Sequence, residues 1–185
     1  MTAHANAFSA SRRRALLGIG AVGAALTVPA DALATISQKP RHLHLYNLHT
    51  DEALKLDYWA DGDYIEDALD ELNVLLRDFR TGDVYPIDRR VLDFLCIVQQ
   101  TMNSRGVFEV ISGYRSPKTN AKLRAQSKGV AKRSYHMRGM AIDVRLRDRE
   151  LSQLRRTAMG LKLGGVGYYR KSNFVHLDIG RVRTW

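Results

Sequence analysis

An α+β fold in one domain, with helices packed against a mainly antiparallel sheet, follows from three features of the sequence. Segments with apolar residues at every second position are interleaved with segments that repeat at three and four. Turns rich in glycine and polar residues join neighbouring extended segments into hairpins. Beyond an N-terminal leader, residues 35–185 suit a single hydrophobic core, and no internal repeat divides them.

Residues 1–34 read as an export address. Ser11-Arg12-Arg13-Arg14 precedes an apolar run from Ala15 to Val28, and Ala32-Leu33-Ala34 offers the small residues that a signal peptidase reads. Adjacent arginines ahead of a weakly hydrophobic, Gly/Ala-rich run favour the twin-arginine route, so a periplasmic protein is expected. The run is shorter than the about 20 apolar residues of a bilayer span, and no membrane insertion is expected after cleavage.

The elements follow in chain order. His42 to Tyr46 and Leu54 to Tyr58 alternate around a His49-Thr50-Asp51-Glu52 turn, a hairpin with one buried face. Ile65, Ala68, Leu69, Leu72, Leu75, Leu76 and Phe79 fall at helical spacing, with Gly82 as the stop. Asp88 is placed to cap a second helix that carries Val91, Leu92, Leu95, Val98 and Met102 inward. Val107 to Ile111 is a strand broken by Ser112-Gly113-Tyr114-Arg115, after which Ser116 and Pro117 open a helix as N-cap and first residue. A basic loop from Gly129 to Arg133 leads to Ser134. Ala141 to Leu146 is a strand and Asp148 to Leu161 a helix, and Gly164, Gly165 and Gly167 begin a closing hairpin that ends at Ile179.

Composition excludes several classes. The formal charge is +10, and removal of Arg12, Arg13, Arg14 and Asp31 with the leader leaves +8. In an exported protein the polyanions at hand are the cell wall and anionic lipid. The basic residues are scattered, without the aromatic platform that single strands stack on, so no nucleic acid is expected. The lone Cys96 lies in an apolar segment and reads as a small hydrophobe, which sets aside disulfides and a cysteine peptidase.

The chemistry concentrates near the C-terminus. Ser134-Tyr-His136-Met-Arg-Gly139-Met-Ala141-Ile-Asp143 and Asn173-Phe-Val-His176-Leu-Asp178 hold two imidazoles and a carboxylate, a sufficient set for one catalytic zinc ion with a fourth position left to water. Strand periodicity puts Ala141 with Asp143 on one face, and Phe174, His176 and Asp178 together on another strand's face. Asp178, the acid nearest His176 on that face, is the candidate general acid/base that shuttles protons; its rival role is to orient a histidine ligand through the second ring nitrogen, and the spacing alone fits both. Arg115 can steady a developing oxyanion or hold a substrate carboxylate, and Arg138 is a weaker candidate of the same kind. His42, His44 and His49 lack a carboxylate or cysteine at ligand spacing and are read as solvent-facing or turn residues. Tyr168 and Tyr169 are read as hairpin packing.

Those residues resemble a known group, the zinc D-Ala-D-Ala metallopeptidases and their Hedgehog-like relatives, and within it the exported, YcbK-like murein endopeptidases. The signature Ser-x-His-x-x-Gly-x-Ala-x-Asp is met by Ser134, His136, Gly139, Ala141 and Asp143. The likeness extends through Arg77 to Gly82, Ser112 to Pro117 with Asn120, Gly164 to Tyr169, Phe174 to His176 and Trp185. It implies one zinc ion per chain on His136, Asp143 and His176, a substrate-facing Arg115, and peptidoglycan stem peptides as substrate. One departure stands out: many relatives carry an acid three residues before the last zinc histidine, where this chain has Asn173. A monomeric murein endopeptidase is expected. A wall-binding module with a structural zinc and a D,D-carboxypeptidase are the alternatives.

Overall fold

The computed structural model describes residues 39–127 and 129–185. The arginines at 12–14 and the expected cleavage after Ala34 lie outside the described residues. Among the described residues eight strands form one sheet: β1 (Arg41–Asn47), β2 (Ala53–Ala60), β3 (Asp63–Tyr64), β4 (Phe108–Ser112), β5 (Ala141–Leu146), β6 (Gly165–Tyr169), β7 (Phe174–Asp178) and β8 (Arg183–Thr184). Their order across the sheet is β3-β2-β1-β4-β5-β7-β6-β8, with β1/β4 and β6/β8 parallel and the remaining pairs antiparallel. Among the described residues four helices accompany it: α1 (Glu66–Leu75), α2 (Arg89–Thr101), α3 (Pro117–Gln126) and α4 (Leu151–Leu161). This is the α+β arrangement expected from the interleaved periodicities. Among the described residues no helix is long and apolar enough to cross a membrane.

Alternation along the strands separates a packing face from a working face. Ile142, Val144, Val166, Val175 and Leu177 join Leu154 and Ala158 of α4 in the core, beside Leu43, Leu45 and the buried residues of α2. The intervening residues of β5, β7 and β6 point to the opposite face, where the polar side chains collect. Cys96 is buried on α2 and accepts a hydrogen bond from Gln100 at 3.2 Å, and burial pushes its thiol up, as suits an inert residue.

Two helices differ from the sequence reading at one end. α1 stops at Leu75 instead of running to Phe79, because the buried Asp78 carboxylate accepts the Arg80 and Ser116 backbone N–H groups at 3.0 and 2.9 Å. Those bonds build a turn closed by Gly82, and Phe79 turns outward to stack on His49 at 3.8 Å. α4 starts at Leu151 and not at Asp148, since Gln153 reaches back to the Glu150 N–H at 3.3 Å while Asp148 is drawn off by Ser104 at 2.7 Å. The caps at Asp88 and Ser116 stand where the sequence puts them, accepting from Arg90 N at 3.1 Å and Thr119 N at 3.2 Å.

Gly139 ends the single 3₁₀ turn Tyr135–Arg138 at φ 63°, and a Cβ there would meet the Pro86 carbonyl oxygen at 2.1 Å. Gly139→Ala is therefore expected to destabilise the protein by about 2 kcal/mol or more, combining backbone strain with a backbone clash. Urea unfolding measures it, and an unchanged midpoint would contradict this account.

Candidate metal centre

His136 is aimed by backbone on both sides. Its ring sits in the 3₁₀ turn after Ser134, and the Gly113 carbonyl, past the end of β4, accepts its Nδ1–H at 2.7 Å. The Arg115 N–H donates to the His136 carbonyl at 3.2 Å, so the turn after β4 clasps the histidine twice. Nε2 is left facing the sheet.

Asp143 and His176 meet because they are direct cross-strand partners on β5 and β7. Asp143 Oδ1 lies 2.8 Å from His176 Nδ1 and 3.2 Å from His136 Nε2, and the two ring nitrogens are 3.2 Å apart. All three residues are buried. For bonds of about 2.0–2.1 Å a tetrahedral ion sets its donors roughly 3.3–3.4 Å apart, close to the edges of this triangle. His136, Asp143 and His176 are the group of described residues able to hold a metal ion together, with donor atoms within 4.8 Å of one another.

Both histidines have the nitrogen that turns away from the triangle engaged, His136 by Gly113 and His176 by Asp178, whose Oδ2 accepts from Nε2 at 3.0 Å. Asp178 is fully buried and has little capacity left. Arg183 grips Oδ1 at 2.9 Å and Oδ2 at 2.7 Å, and the Gly180 N–H donates to Oδ1 at 2.9 Å. A carboxylate held in this way fixes the tautomer and orientation of the His176 ring. Arg183, which locks it, went unnoticed in the sequence: it stands on a two-residue strand with no periodicity to mark it.

The glycines of β6 make room for these contacts. Gly165 lies between Asp178 and Arg183 in the sheet, and a Cβ there would meet both side chains within 2.4 Å. Gly167, opposite His176, is covered in the same way by Trp185, whose ring centroid lies 5.3 Å from that of His176. Trp185 donates its indole N–H to the Tyr169 hydroxyl at 2.9 Å, and Tyr169 stacks on Phe174 at 4.5 Å, so the hairpin tyrosine is packing as expected.

Arg115 faces the cluster with Nη2 3.7 Å from Asp143 Oδ2, and its buried Nε has no partner among the described residues. Arg138 is exposed above the Tyr135 ring at 5.8 Å, outside the cluster. Asn173 sits at the β6–β7 turn with φ 55°, a left-handed conformation that asparagine tolerates. His42 is exposed and His44 half-buried, both away from the triangle.

Charge follows from these contacts. Burial opposes ionisation of His176, yet its hydrogen bonds to Asp143 and Asp178 push it up to about 9. Burial pulls His136 down, and Asp143 offsets this only in part. Burial works against the Asp143 carboxylate too, but the adjacent His136 and His176 hold it well below the usual carboxylate range. The metal-free protein therefore carries one proton too many on His176 below about pH 9. A metal ion must displace it, so uptake near pH 7 is expected to release close to one proton, falling toward none above that pKa. The same raised pKa stabilises the metal-free fold below about 6.5, and this contribution is lost as pH rises through about 9, while metal affinity rises. Calorimetry of zinc uptake in buffers of different ionisation enthalpy reads the proton count, and a count of zero at pH 7 would refute the assignment.

The family model Peptidase_M15_2, described as Peptidoglycan L,D-endopeptidase MepK, matches residues 35–185. The chain is 45% identical over 180 residues to "Peptidoglycan L,D-endopeptidase MepK" of Escherichia coli (strain K12), covering 96% of this chain and 98% of that protein. The protein of the same name from Shigella flexneri gives the same figures. "Probable peptidoglycan L,D-endopeptidase MepK" of Haemophilus influenzae is 40% identical over 176 residues, covering 94% of this chain and 95% of the relative. With the His-Asp-His triangle inside a match of this extent, the chain belongs to the Peptidase_M15_2 family, among the zinc D-Ala-D-Ala peptidase-like proteins that its motifs resemble.

Proposed function

We propose that this chain is an exported zinc metallopeptidase that hydrolyses peptide cross-links of peptidoglycan. The observation that carries the reading is the donor triangle of His136, Asp143 and His176, set in a chain matched by a peptidoglycan endopeptidase family across residues 35–185. The relatives' names point to cross-links of the L,D type as the bond cut. Residues 1–34 are the leader, read by the twin-arginine route, and residues 35–185 the working domain of a periplasmic monomer.

His136 Nε2, Asp143 Oδ1 and His176 Nδ1 would hold the zinc, with Nδ1–H of His136 and Nε2–H of His176 spent on Gly113 and Asp178 so that a lone pair faces inward. When bound, zinc supplies Lewis acidity toward the amide carbonyl and toward the attacking water. Arg115 stands beside the triangle, where its always-charged guanidinium can take a peptide carboxylate or the developing oxyanion. Asp178 holds His176 in one tautomer, and Arg183 holds Asp178.

Digestion of defined cross-linked muropeptides by the wild type and by His176→Ala, read by product mass, tests the reading. The wild type is expected to release two stem peptides from each dimer in a zinc-dependent way, and the variant none. Release of terminal D-Ala alone would make the protein a carboxypeptidase, and zinc binding without any cutting would make it a wall-binding module.

A further inference from the structure

One corner of the surface collects cations without pairing them to acids, although Arg80 also lies over the Phe79 ring at 4.0 Å. A cleft of about 690 Å³ is lined by Arg80, Thr81, Asp83, Lys118, Thr119 and Lys122, three cations to one carboxylate. None of the three cations forms an ion pair among the described residues, whereas elsewhere arginines such as Arg41, Arg77, Arg89, Arg145 and Arg183 do. Helix stability does not account for them: the first turn of α3 holds Lys118 and no acid, the sign that the helix dipole disfavours there.

The cleft adjoins the metal centre through a pinned connection. Its two walls are the turn from Asp78 to Asp83 and the start of α3, and the buried Asp78 carboxylate ties them by accepting from Arg80 N at 3.0 Å and Ser116 N at 2.9 Å. Ser116 follows Arg115 directly, and Arg115 reaches Asp143 at 3.7 Å. Arg80 is near enough to Arg115 for its charge to oppose that guanidinium, so cationic groups extend from the metal triangle toward the cleft. Stem peptides have free carboxylates close to the amides that cross-link them, so such a path matches their charge.

We infer that the cleft lined by Arg80, Lys118 and Lys122 is a carboxylate-binding subsite that takes the free carboxylates of the stem peptide extending away from Arg115. This deepens the function proposed above and rests on it. Charge-assisted contacts of this kind favour the free acid over its amide by about tenfold or more.

Calorimetric titration of the zinc-loaded protein with an uncross-linked stem tripeptide, compared with the same tripeptide with amidated carboxylates, isolates the subsite from hydrolysis. The wild type is expected to prefer the free acid by about tenfold more than Arg80→Gln/Lys118→Gln/Lys122→Gln does, the variant keeping only what Arg115 contributes. Lys118→Arg/Lys122→Arg should retain the wild-type preference. Equal binding of acid and amide by the wild type, or a preference undiminished in the triple glutamine variant, overturns the subsite. Failure of the wild type to cut cross-linked dimers would instead overturn the enzymatic reading and leave this titration to judge the cleft alone.

Discussion

Asp143→Ala is expected to abolish zinc binding and peptide hydrolysis together, lowering the cleavage rate by at least about a thousandfold. Loss of a group that merely supports a metal ligand costs about 10 to 100-fold, and Asp143 is the centre of the triangle itself. Its Oδ1 is within 2.8 Å of His176 and 3.2 Å of His136, and its Oδ2 faces Arg115. Without it, two neutral imidazoles and a facing guanidinium remain, a set with no negative charge to balance a dication. The metal-free state suffers too, since the charge on His176 would keep Asp178 alone as counter-ion. Asp143→Asn keeps the shape and separates these effects: it should fold, yet bind zinc far more weakly. Elemental analysis of the purified variants and cleavage of cross-linked dimers measure both outcomes. One tightly held zinc per chain in Asp143→Ala, with cutting intact, would remove the triangle from the mechanism.

The triangle was legible in the sequence because strand periodicity is strict. A period of two fixes Asp143 opposite the apolar Ile142 and Val144, and it sets His176 and Asp178 side by side, so the working face could be assigned before any pairing was known. Pairing itself was not legible. Nothing local says that β5 lies against β7 in the register that brings Asp143 to His176, since the helix α4 and strand β6 intervene in the chain. The helix caps Asp88 and Ser116 were readable for a local reason, each bonding within three residues. Asp78 was not, because its partner Ser116 becomes a neighbour only when the chain folds, and Arg183 was not, because its two-residue strand carries no periodicity to aim it at Asp178. The overextended first helix has a related cause: Phe79 fits the helical spacing, and the turn bonds of Asp78 to Arg80 and Gly82 are fixed in place by its second carboxylate oxygen reaching the distant Ser116 N–H.

Asp178 is where two mechanisms make opposite predictions. As a proton shuttle its removal would cut the rate by about 10² to 10⁴-fold even with the metal site filled. As an orienting group its removal would weaken zinc by about 10 to 100-fold, and excess zinc would restore most of the rate. The carboxylate is fully buried, holds His176 Nε2 at 3.0 Å, and is gripped by both terminal nitrogens of Arg183. Although burial alone would raise its pKa, His176 and Arg183 hold it below the usual carboxylate range, which makes it a poor acceptor of a proton at neutral pH. The expected result for Asp178→Asn is therefore a weakened zinc affinity with hydrolysis recovered to within about tenfold at saturating zinc. Arg183→Ala should move in the same direction by a smaller factor, because it frees the carboxylate to turn without removing it. Zinc titrations of activity for the two variants decide the matter: a rate that stays low in Asp178→Asn however much zinc is added would return the proton shuttle to Asp178.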